Sequence, residues 1–285
     1  MKKYLYEINV AGEDAPAKIL RAVGNDKRVL EIGCASGTQS RVMKEQQRCV
    51  VTGIEIDADA ALYAKQYCEN VIVGDLESLD LDRALGNQRY DVVTIADVLE
   101  HLRQPARVLV QLKRYLNEDG FIVASIPNVV HAGLILEMAN GRFDYRPYGL
   151  LDDTHLRFFT LKTVYELFEN CGLEIIELDR VIRPIEKSEF YTHPLSPSEG
   201  LLLDHIREHN SEWQTYQFIV KAIPAARKYP VSMHANLVAL DNLQNLQLEN
   251  QSLIHQVRSL QGRIAWIESR PAYKFYSVLK RIFKK

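Results

Sequence analysis

Short apolar runs alternate with amphipathic stretches between residues 15 and 223. The apolar runs show no polar alternation, which is typical of strands buried on both faces of a parallel sheet. The amphipathic stretches predict helices that cover the two faces, and the last two runs predict an antiparallel hairpin at the sheet edge. The predicted strands are 29–32, 49–54, 70–73, 90–95, 120–125, 173–181 and 213–222, and the predicted helices are 15–24, 38–47, 57–67, 105–116 and 161–171.

A different pattern begins near residue 231, after Pro224 and Pro230. Apolar residues recur there in heptads, which predicts a coiled-coil helix over 231–269 and a homo-oligomer through 236–267. Asparagines at two a positions are typical of parallel dimers, although a single helix packed on its own domain and a higher oligomer stay open. The a positions are Asn236, Leu243, Asn250, Val257 and Ile264, and the d positions are Ala239, Leu246, Leu253, Leu260 and Ile267.

The last segment, 270–285, mixes aromatic and aliphatic residues with Lys and Arg and contains no acidic residue. This basic aromatic tail is typical of an anchor that lies on an anionic membrane surface. Docking on another protein, such as a glycosyltransferase, and a simple solvated end are the alternatives. On a helix, one face would carry Phe275, Tyr276, Leu279, Ile282 and Phe283.

Net charge, cysteine spacing and the length of apolar runs indicate which partners and which compartment are expected. The formal net charge of −2 gives no general attraction to nucleic acid, so no nucleic-acid partner is expected. The four cysteines form no CxxC pair, which indicates neither a zinc site nor a disulfide framework and favours a reducing cytoplasm. No signal peptide and no run of the roughly 18–20 apolar residues that span a bilayer are visible. The chain is expected to be cytoplasmic, with the tail as its attachment to the inner face of the cell membrane.

The stretch from Val29 to Ser40 combines a strand, a glycine turn and a helix start. Gly33 and Gly37 let the backbone turn tightly and approach a ligand, and the helix start presents free N–H groups. Glu31 would repel a pyrophosphate but accepts hydrogen bonds from an ammonium group. The loop therefore predicts a cofactor that carries an amino-acid group rather than a dinucleotide.

Acidic residues also follow the next two strands. Glu55 ends the second strand, where an acidic residue binds ribose hydroxyls in nucleoside-binding α/β folds. Asp75 follows the third strand, where its carboxylate is expected to accept from an adenine amino group while the Leu76 amide donates to the ring. Open α/β sheets bind their ligands at these carboxyl ends of strands.

These elements together resemble class I S-adenosylmethionine-dependent methyltransferases. The resemblance implies a doubly wound, mostly parallel α/β sheet of seven strands in the order 3-2-1-4-5-7-6 with an antiparallel last strand, within a methyltransferase domain at 1–225. The elements that carry it are Glu31-x-Gly33-x-x-x-Gly37, Gly53-Ile54-Glu55, Gly74-Asp75, Tyr90-Asp91-Val92-Val93, Asp97-Val98-Leu99-Glu100-His101 and Leu116-x-x-x-Gly120.

S-adenosylmethionine is the cofactor that the resemblance implies. The family usually has glycine where Ala35 stands, and because alanine adds only a methyl group we expect binding to survive. The implied cofactor contacts are Glu31, Gly33, Ala35, Gly37, Glu55, Ile56, Asp75, Leu76 and Asp97.

His101 lies after the fourth strand, beside the expected position of the sulfonium group. Imidazole is a base suited to neutral pH, so His101 is a candidate to remove a proton from the acceptor. The alternative is a histidine that orders its loop and contacts the cofactor. The motif recurs across different substrates in the resembled family, which favours the alternative.

The segment 141–160 is too polar and aromatic for a bare connector and predicts a substrate-binding loop. Its string Gly149–Thr160 resembles one that recurs in methyltransferases encoded with bacterial surface-polysaccharide enzymes. His155 is predicted as the general base, oriented by Asp152 or Asp153, with a cofactor or structural role as the alternative. Thr160 is predicted as the N-cap of the next helix.

Three further side chains of this loop are candidates for substrate binding. Arg157 is expected to hold a carboxylate or phosphate, or else to brace the loop. Tyr145 and Tyr148 are expected to stack on a sugar face, or else to pack the loop. No cluster of metal ligands is visible in the spacing of His, Cys and acidic residues, so no metal is expected.

The sequence therefore predicts an O-methyltransferase that acts on a hydroxyl of a sugar or lipid-linked glycan in surface-polysaccharide biosynthesis. One alternative is a methyltransferase of a small membrane-soluble molecule such as a quinone precursor. The other is a non-catalytic, methyltransferase-like scaffold that recruits glycosyltransferases.

Overall fold

The computed structural model describes residues 7–225. The predicted coiled coil at 236–267 and the tail at 270–285 lie outside these residues and stay predictions. Within 7–225, no helix combines the length and the apolar character needed to cross a bilayer. The four cysteines all lie in this part and are buried free thiols.

Seven strands form one sheet in the order β3-β2-β1-β4-β5-β7-β6. The strands are β1 Arg28–Ile32, β2 Val50–Glu55, β3 Asn70–Val73, β4 Tyr90–Ala96, β5 Leu116–Pro127, β6 Leu173–Ile182 and β7 Thr215–Pro224. Neighbours from β3 to β5 pair in parallel, and β7 is antiparallel to both β5 and β6. The predicted strand order, the antiparallel last strand and the antiparallel pair at the sheet edge are confirmed.

Eight α-helices occur in the described part: α1 Ala15–Val23, α2 Thr38–Glu45, α3 Ala58–Ala64, α4 Leu81–Leu85, α5 Pro105–Lys113, α6 Ala132–Ala139, α7 Leu161–Asn170 and α8 Pro197–His209. The sequence analysis did not predict α4, α6 and α8. Helix α7 begins at the predicted N-cap, because the Thr160 hydroxyl accepts from the Thr163 amide. Two single-turn 3₁₀ helices, Leu99–His101 and Ile185–Lys187, complete the elements.

The core lies on both faces of the sheet, as the uninterrupted apolar strands predict. Successive residues of one strand point to opposite faces, so Val93 and Ile95 of β4 pack in one cluster and Val92 packs in the other. Because side chains bury both faces, the loops at the carboxyl ends of the strands are the part of the sheet left for a ligand.

Gly37 at the start of α2 is predicted to be a glycine that the fold tolerates poorly as alanine. Its φ is +80°, and an added Cβ would lie 2.9 Å from the Cα of Ala64 in α3. Gly141 is the matched control, because its φ is +73° and a Cβ there would meet open space. Its amide and that of Arg142 close the end of α6 on the carbonyls of Met138 and Glu137, as a left-handed C-cap residue does. The left-handed backbone alone costs alanine about 1–2 kcal/mol, and overpacking adds roughly 1–3 kcal/mol.

Denaturant unfolding of the two variants measures the difference. Gly141→Ala should lower the free energy of unfolding by about 1–2 kcal/mol, and Gly37→Ala by about 2–5 kcal/mol. Equal losses would show that α3 does not pack against the loop as described.

Candidate active site

The loop between β1 and α2 bends around the end of β2. The Gly33 amide donates to the Ile54 carbonyl at 2.8 Å, and the Gly37 amide donates to the Cys34 carbonyl at 2.8 Å. Three loop residues have left-handed φ angles: +72° at Gly33, +47° at Ala35 and +80° at Gly37. Ala35 therefore holds, at the cost of about 1–3 kcal/mol, a backbone conformation that glycine adopts freely.

Glu55 is the side chain that holds Ala35 in place. Its Oε2 accepts from the Ala35 amide at 2.7 Å, and its Oε1 accepts from the Asp57 amide at 2.9 Å. A carboxylate has about four lone-pair sites, so each oxygen keeps a second site for a ligand hydroxyl. Glu55 can thus fix the loop and still accept from the two hydroxyls of a ribose.

Glu31 is a buried carboxyl group that accepts a hydrogen bond from the Ser40 hydroxyl. Burial raises the pKa of Glu31 to about 8, the Ser40 bond opposes this, and the neighbouring Cys68 and Glu55 raise it further. A cation beside a carboxylate lowers its pKa. The site therefore fits the ammonium group of an amino-acid cofactor, which would neutralise Glu31 in its ionised form.

Asp75 lies exposed after β3, and its Oδ1 accepts from the Glu77 amide at 2.9 Å. It borders an open cavity of about 510 Å³. The other lining residues are Gly74, Ser78, Leu79, Asp80, Arg83 and Ala84. Leu76 beside it is buried, and Ile56, which follows Glu55, is exposed. Because β3, β2 and β1 are neighbours, Asp75, Glu55 and Glu31 belong to one edge of the sheet.

Asp97 follows β4 with a left-handed φ of +52°. Its amide donates to the Ser125 hydroxyl at 3.0 Å, and that hydroxyl donates back to Asp97 Oδ1 at 2.7 Å. Gln217 from β7 donates to the same oxygen at 2.7 Å. Sequence reasoning found Asp97 but missed Ser125 and Gln217, because no local motif marks a partner that the sheet supplies from another strand.

The Glu100 carbonyl group is one point at which the loop 141–160 is attached to the turn after β4. The Glu100 carbonyl accepts from the amide of Leu156 at 2.8 Å and from the amide of Arg157 at 2.9 Å. These bonds bring His155 beside His101, with ring centroids 4.8 Å apart and ring planes at 70°. The two histidines predicted from separate motifs therefore belong to one site.

The His155 side chain is buried and only 5% exposed. Its Nδ1 lies 3.3 Å from the Leu150 carbonyl, and its Nε2 lies 4.0 Å from Glu100 Oε1. Burial lowers the pKa of His155, and nearby His101 lowers it further. This environment disfavours His155 as the group that meets an acceptor hydroxyl directly, which differs from its predicted role as the general base.

His101 is half-buried and is held by the loop. Its Nδ1 lies 3.0 Å from the Thr154 hydroxyl, which itself donates to Asp152 Oδ1. Because the Thr154 hydroxyl donates its proton to Asp152, it can only accept from His101. The imidazole proton of His101 is therefore on Nδ1, and the lone pair is on Nε2. Asp152 thus acts on His101 through Thr154, and its charge also acts on His155, whose pKa it raises.

The Glu100 carboxyl group is the least expected member of the site. It is 1% exposed, and neither oxygen has a hydrogen-bond partner among the described residues. Burial raises its pKa well above the usual range, and the charges of Asp97 and Asp152 act in the same direction. One ligand atom each from Glu100, His101 and His155 lies within 4.8 Å of the others. The sequence analysis missed this group because Glu100 and His155 are far apart in the chain.

The aromatic side chains of the loop extend outward from His155. Measured between ring centroids, Phe158 lies 6.4 Å from His155, Phe143 lies 6.0 Å from Phe158, and Tyr145 lies 5.6 Å from Phe143. Tyr145 is 57% exposed and Tyr148 is 69% exposed, so neither ring is buried in the packing of the loop. These rings form an exposed aromatic surface next to the two histidines.

Arg157 braces the loop in this structure. Its Nη2 donates to the Arg103 carbonyl at 2.6 Å, which fixes the loop to the turn after β4. The predicted brace is therefore present, although its acceptor is a backbone carbonyl rather than an acidic side chain. Asp153 is tied to the same loop by its amide, which donates to the Arg146 carbonyl at 2.8 Å.

The raised pKa of Glu31 predicts a pH dependence of stability that Glu31→Gln should remove. Below pH 4.5 both the folded and the unfolded states are protonated at Glu31; between 4.5 and about 8 only the folded state keeps the proton. The free energy of unfolding is therefore highest below the unfolded-state pKa of 4.5. It falls as the pH rises from there through the folded-state pKa of about 8. The loss amounts to at most about 5 kcal/mol, since one pKa unit corresponds to 1.36 kcal/mol.

The measurement is denaturant unfolding of both proteins from pH 5 to 9. The unfolding free energy of the wild type should fall relative to that of Glu31→Gln over this range. A constant difference would mean that Glu31 is already ionised in the folded protein at pH 5.

Comparisons with known proteins agree with this geometry. Residues 6–178 match the model of a methyltransferase domain. The chain is 33% identical over 109 residues to a ubiquinone biosynthesis O-methyltransferase of Glaesserella parasuis, a match that covers 36% of this chain and 46% of the relative. It is 31% identical over 162 residues to the protein of the same name in Serratia proteamaculans, covering 49% of this chain and 66% of that relative.

Solved structures show the same fold. A methyltransferase described as S-adenosylmethionine-dependent, from Archaeoglobus fulgidus, has a TM-score of 0.53 at 19% identity and covers 73% of this chain and 91% of its own. Another from Thermotoga maritima, described as a possible histamine N-methyltransferase, has a TM-score of 0.50 at 14% identity over 74% of this chain and 87% of its own. The chain therefore belongs to the methyltransferase domain family and has the fold of the S-adenosylmethionine-dependent methyltransferases.

Proposed function

We propose that this chain transfers the methyl group of S-adenosylmethionine to a hydroxyl oxygen. The observation that carries the proposal is the series Asp152, Thr154 and His101, which leaves Nε2 of His101 as a base beside the loop of Asp97. The relatives named as O-methyltransferases support transfer to oxygen. Because the chain spans only 46% and 66% of those relatives, the activity and the acceptor are proposals.

The acidic residues at the ends of β1, β2 and β3 suit the three polar parts of the cofactor. Glu31 would neutralise the ammonium group, Glu55 would accept from the ribose hydroxyls, and Asp75 with the Leu76 amide would bind the adenine. The loop backbone would lie against the cofactor. Its three left-handed φ angles are at Gly33, Ala35 and Gly37. When bound, the cofactor supplies a methyl group on a positively charged sulfur, which is an effective electrophile.

The protein has little chemistry to add beyond alignment and proton removal. The acceptor oxygen forms a bond to the methyl carbon, and the carbon–sulfur bond breaks with its electron pair on sulfur. The hydroxyl proton passes to Nε2 of His101, whose other nitrogen is held by Thr154. His155 supports this geometry from the buried side, because its ring packs edge-on against that of His101.

We propose a small aromatic hydroxyl compound, such as a quinone precursor, as the acceptor class. The exposed rings of Phe143, Tyr145 and Phe158 lead toward the histidine pair and suit an aromatic acceptor, because aromatic rings pack in edge-to-face or offset arrangements. The names of the two relatives, which refer to ubiquinone biosynthesis, support the same class.

A hydroxyl of a sugar or lipid-linked glycan is the second candidate. Tyr145 and Tyr148 are 57% and 69% exposed, so their rings are available to stack on a sugar ring. The string Gly149–Thr160 resembles that of the polysaccharide-associated subgroup. The proposals of a homo-oligomer through 236–267 and of membrane or glycosyltransferase contact through 270–285 depend on residues outside the described part. A non-catalytic scaffold is the alternative, in which the chain would recruit glycosyltransferases without transferring a methyl group.

The experiment that tests the proposal is a transfer assay with S-adenosylmethionine labelled in its methyl group. The full chain should move the label to a catechol-type acceptor, detected as a mass increase, and more slowly or not at all to simple sugars. The reverse preference would favour the glycan reading. No transfer to any hydroxyl acceptor, with the cofactor bound, would support the scaffold.

His101→Gln is the matched variant for this assay. It removes the base and keeps a polar side chain, so kcat should fall by about 10²–10⁴ while the Kd for S-adenosylmethionine stays unchanged. His205→Gln, on the exposed surface of α8, is the control and should keep full activity. An unchanged kcat in His101→Gln would remove His101 from the chemistry.

A further inference from the structure

We propose that Glu100, His101 and His155 bind one divalent transition-metal ion, which in turn binds the hydroxyl oxygen of the acceptor. We call these three residues the acceptor-side cluster. The inference deepens the proposed function and rests on it only for the identity of the acceptor oxygen. It changes one step, because His101 becomes a metal ligand and the ion takes over the activation of the hydroxyl group.

The Glu100 carboxyl group is the first observation. It is 1% exposed, and neither of its oxygens has a hydrogen-bond partner among residues 7–225. Buried acidic groups are almost always paired, hydrogen-bonded or bound to a metal. A carboxylate oxygen of Glu100 lies in the cluster with two imidazole rings, which are neutral metal ligands.

The hydrogen bonds of the two histidines are the second observation. His155 Nδ1 is directed to the Leu150 carbonyl at 3.3 Å, and His101 Nδ1 is directed to the Thr154 hydroxyl at 3.0 Å. Thr154 is itself bonded to the carboxylate of Asp152. A histidine that ligates a metal through Nε2 commonly donates its other N–H to a carbonyl or carboxylate, and this bond fixes the tautomer and the ring. Both histidines of the cluster carry such a partner on Nδ1, so both Nε2 atoms are left to bind the ion.

The separations are close to those of a metal site. Glu100 Oε1 and His155 Nε2 are 4.0 Å apart, and one ligand atom from each of the three residues lies within 4.8 Å of the others. Metal–ligand bonds of about 2.0–2.2 Å require ligand atoms roughly 3–4 Å apart, so small side-chain rotations are enough to close the cluster. The turn after β4 supplies two of the ligands, and the two amide bonds to the Glu100 carbonyl bring in the third.

The donor set indicates the class of ion. Two imidazole nitrogens and one carboxylate oxygen form the ligand set of catalytic zinc sites and of non-haem iron sites with open coordination positions. Mg²⁺ and Ca²⁺ prefer oxygen ligands alone. An open position on the ion would bind the acceptor oxygen and lower the pKa of its hydroxyl group, so that the proton leaves to water before the methyl group is transferred.

The test uses the full chain, stripped with a chelator and then titrated with Co²⁺ or Zn²⁺. Calorimetry should show one ion per chain, and Co²⁺ should give the absorption bands of a site with nitrogen and oxygen ligands. The variants Glu100→Gln and His155→Gln should each lose at least about tenfold in affinity, since even outer-shell changes cost 10–100-fold. His205→Gln is the control, because His205 and His209 stack at 4.2 Å on α8 and are the obvious competing pair.

No bound ion, or binding that survives Glu100→Gln and is lost in His205→Gln, would overturn the inference. Circular dichroism and thermal unfolding verify that each variant folds. If Glu100→Gln or His155→Gln does not fold, His101→Gln replaces it, because His101 is only half-buried and the Glu100 carbonyl bonds stay intact.

Transfer assays separate this inference from the proposed function. Full methyl transfer by the chelator-treated protein would overturn the metal inference and leave His101 as the base. Transfer that is lost on chelation and restored by Co²⁺ or Zn²⁺ supports the inference. An ion bound by the cluster, without transfer to any hydroxyl acceptor, would support the metal site and contradict the proposed function.

Discussion

Two hydrogen bonds to the Glu100 carbonyl determine the geometry of the whole acceptor side. The amides of Leu156 and Arg157 donate to this one oxygen, so the loop 141–160 is fixed to the turn after β4. His155 consequently lies against His101, and Thr154 connects His101 to Asp152. The turn itself is held through Asp97, which β5 and β7 contact through Ser125 and Gln217.

The cofactor side depends on the sheet instead. Because β3, β2 and β1 are adjacent and parallel, the acidic residues that follow them come to one edge. Glu55 accepts a hydrogen bond from the Ala35 amide of the glycine loop, and its oxygens keep lone pairs for a ligand. The strain at Ala35 shows why its usual counterpart is glycine, and the bond from its amide to Glu55 shows how alanine is tolerated.

Local patterns were sufficient to predict the sheet and the cofactor side. Uninterrupted apolar runs predict buried parallel strands, Thr160 is recognisable as an N-cap, and each acidic residue lies at or near the carboxyl end of a predicted strand. The acceptor side could not be derived in the same way. The burial of His155, the partner of Asp152 and the unpaired Glu100 carboxyl group depend on contacts between distant segments, which no periodicity reveals. Helix α6 is apolar around most of its surface, so it lacks the amphipathic period that identified the five predicted helices.

The central claim is that the carboxyl ends of β1, β2 and β3 bind S-adenosylmethionine. Calorimetric titration of the full chain with S-adenosylmethionine and with its demethylated product, repeated with Asp75→Ala, tests it most directly. Both compounds should bind with micromolar affinity, and Asp75→Ala should strongly weaken that binding. Absence of binding at millimolar cofactor by the folded wild-type chain would contradict it.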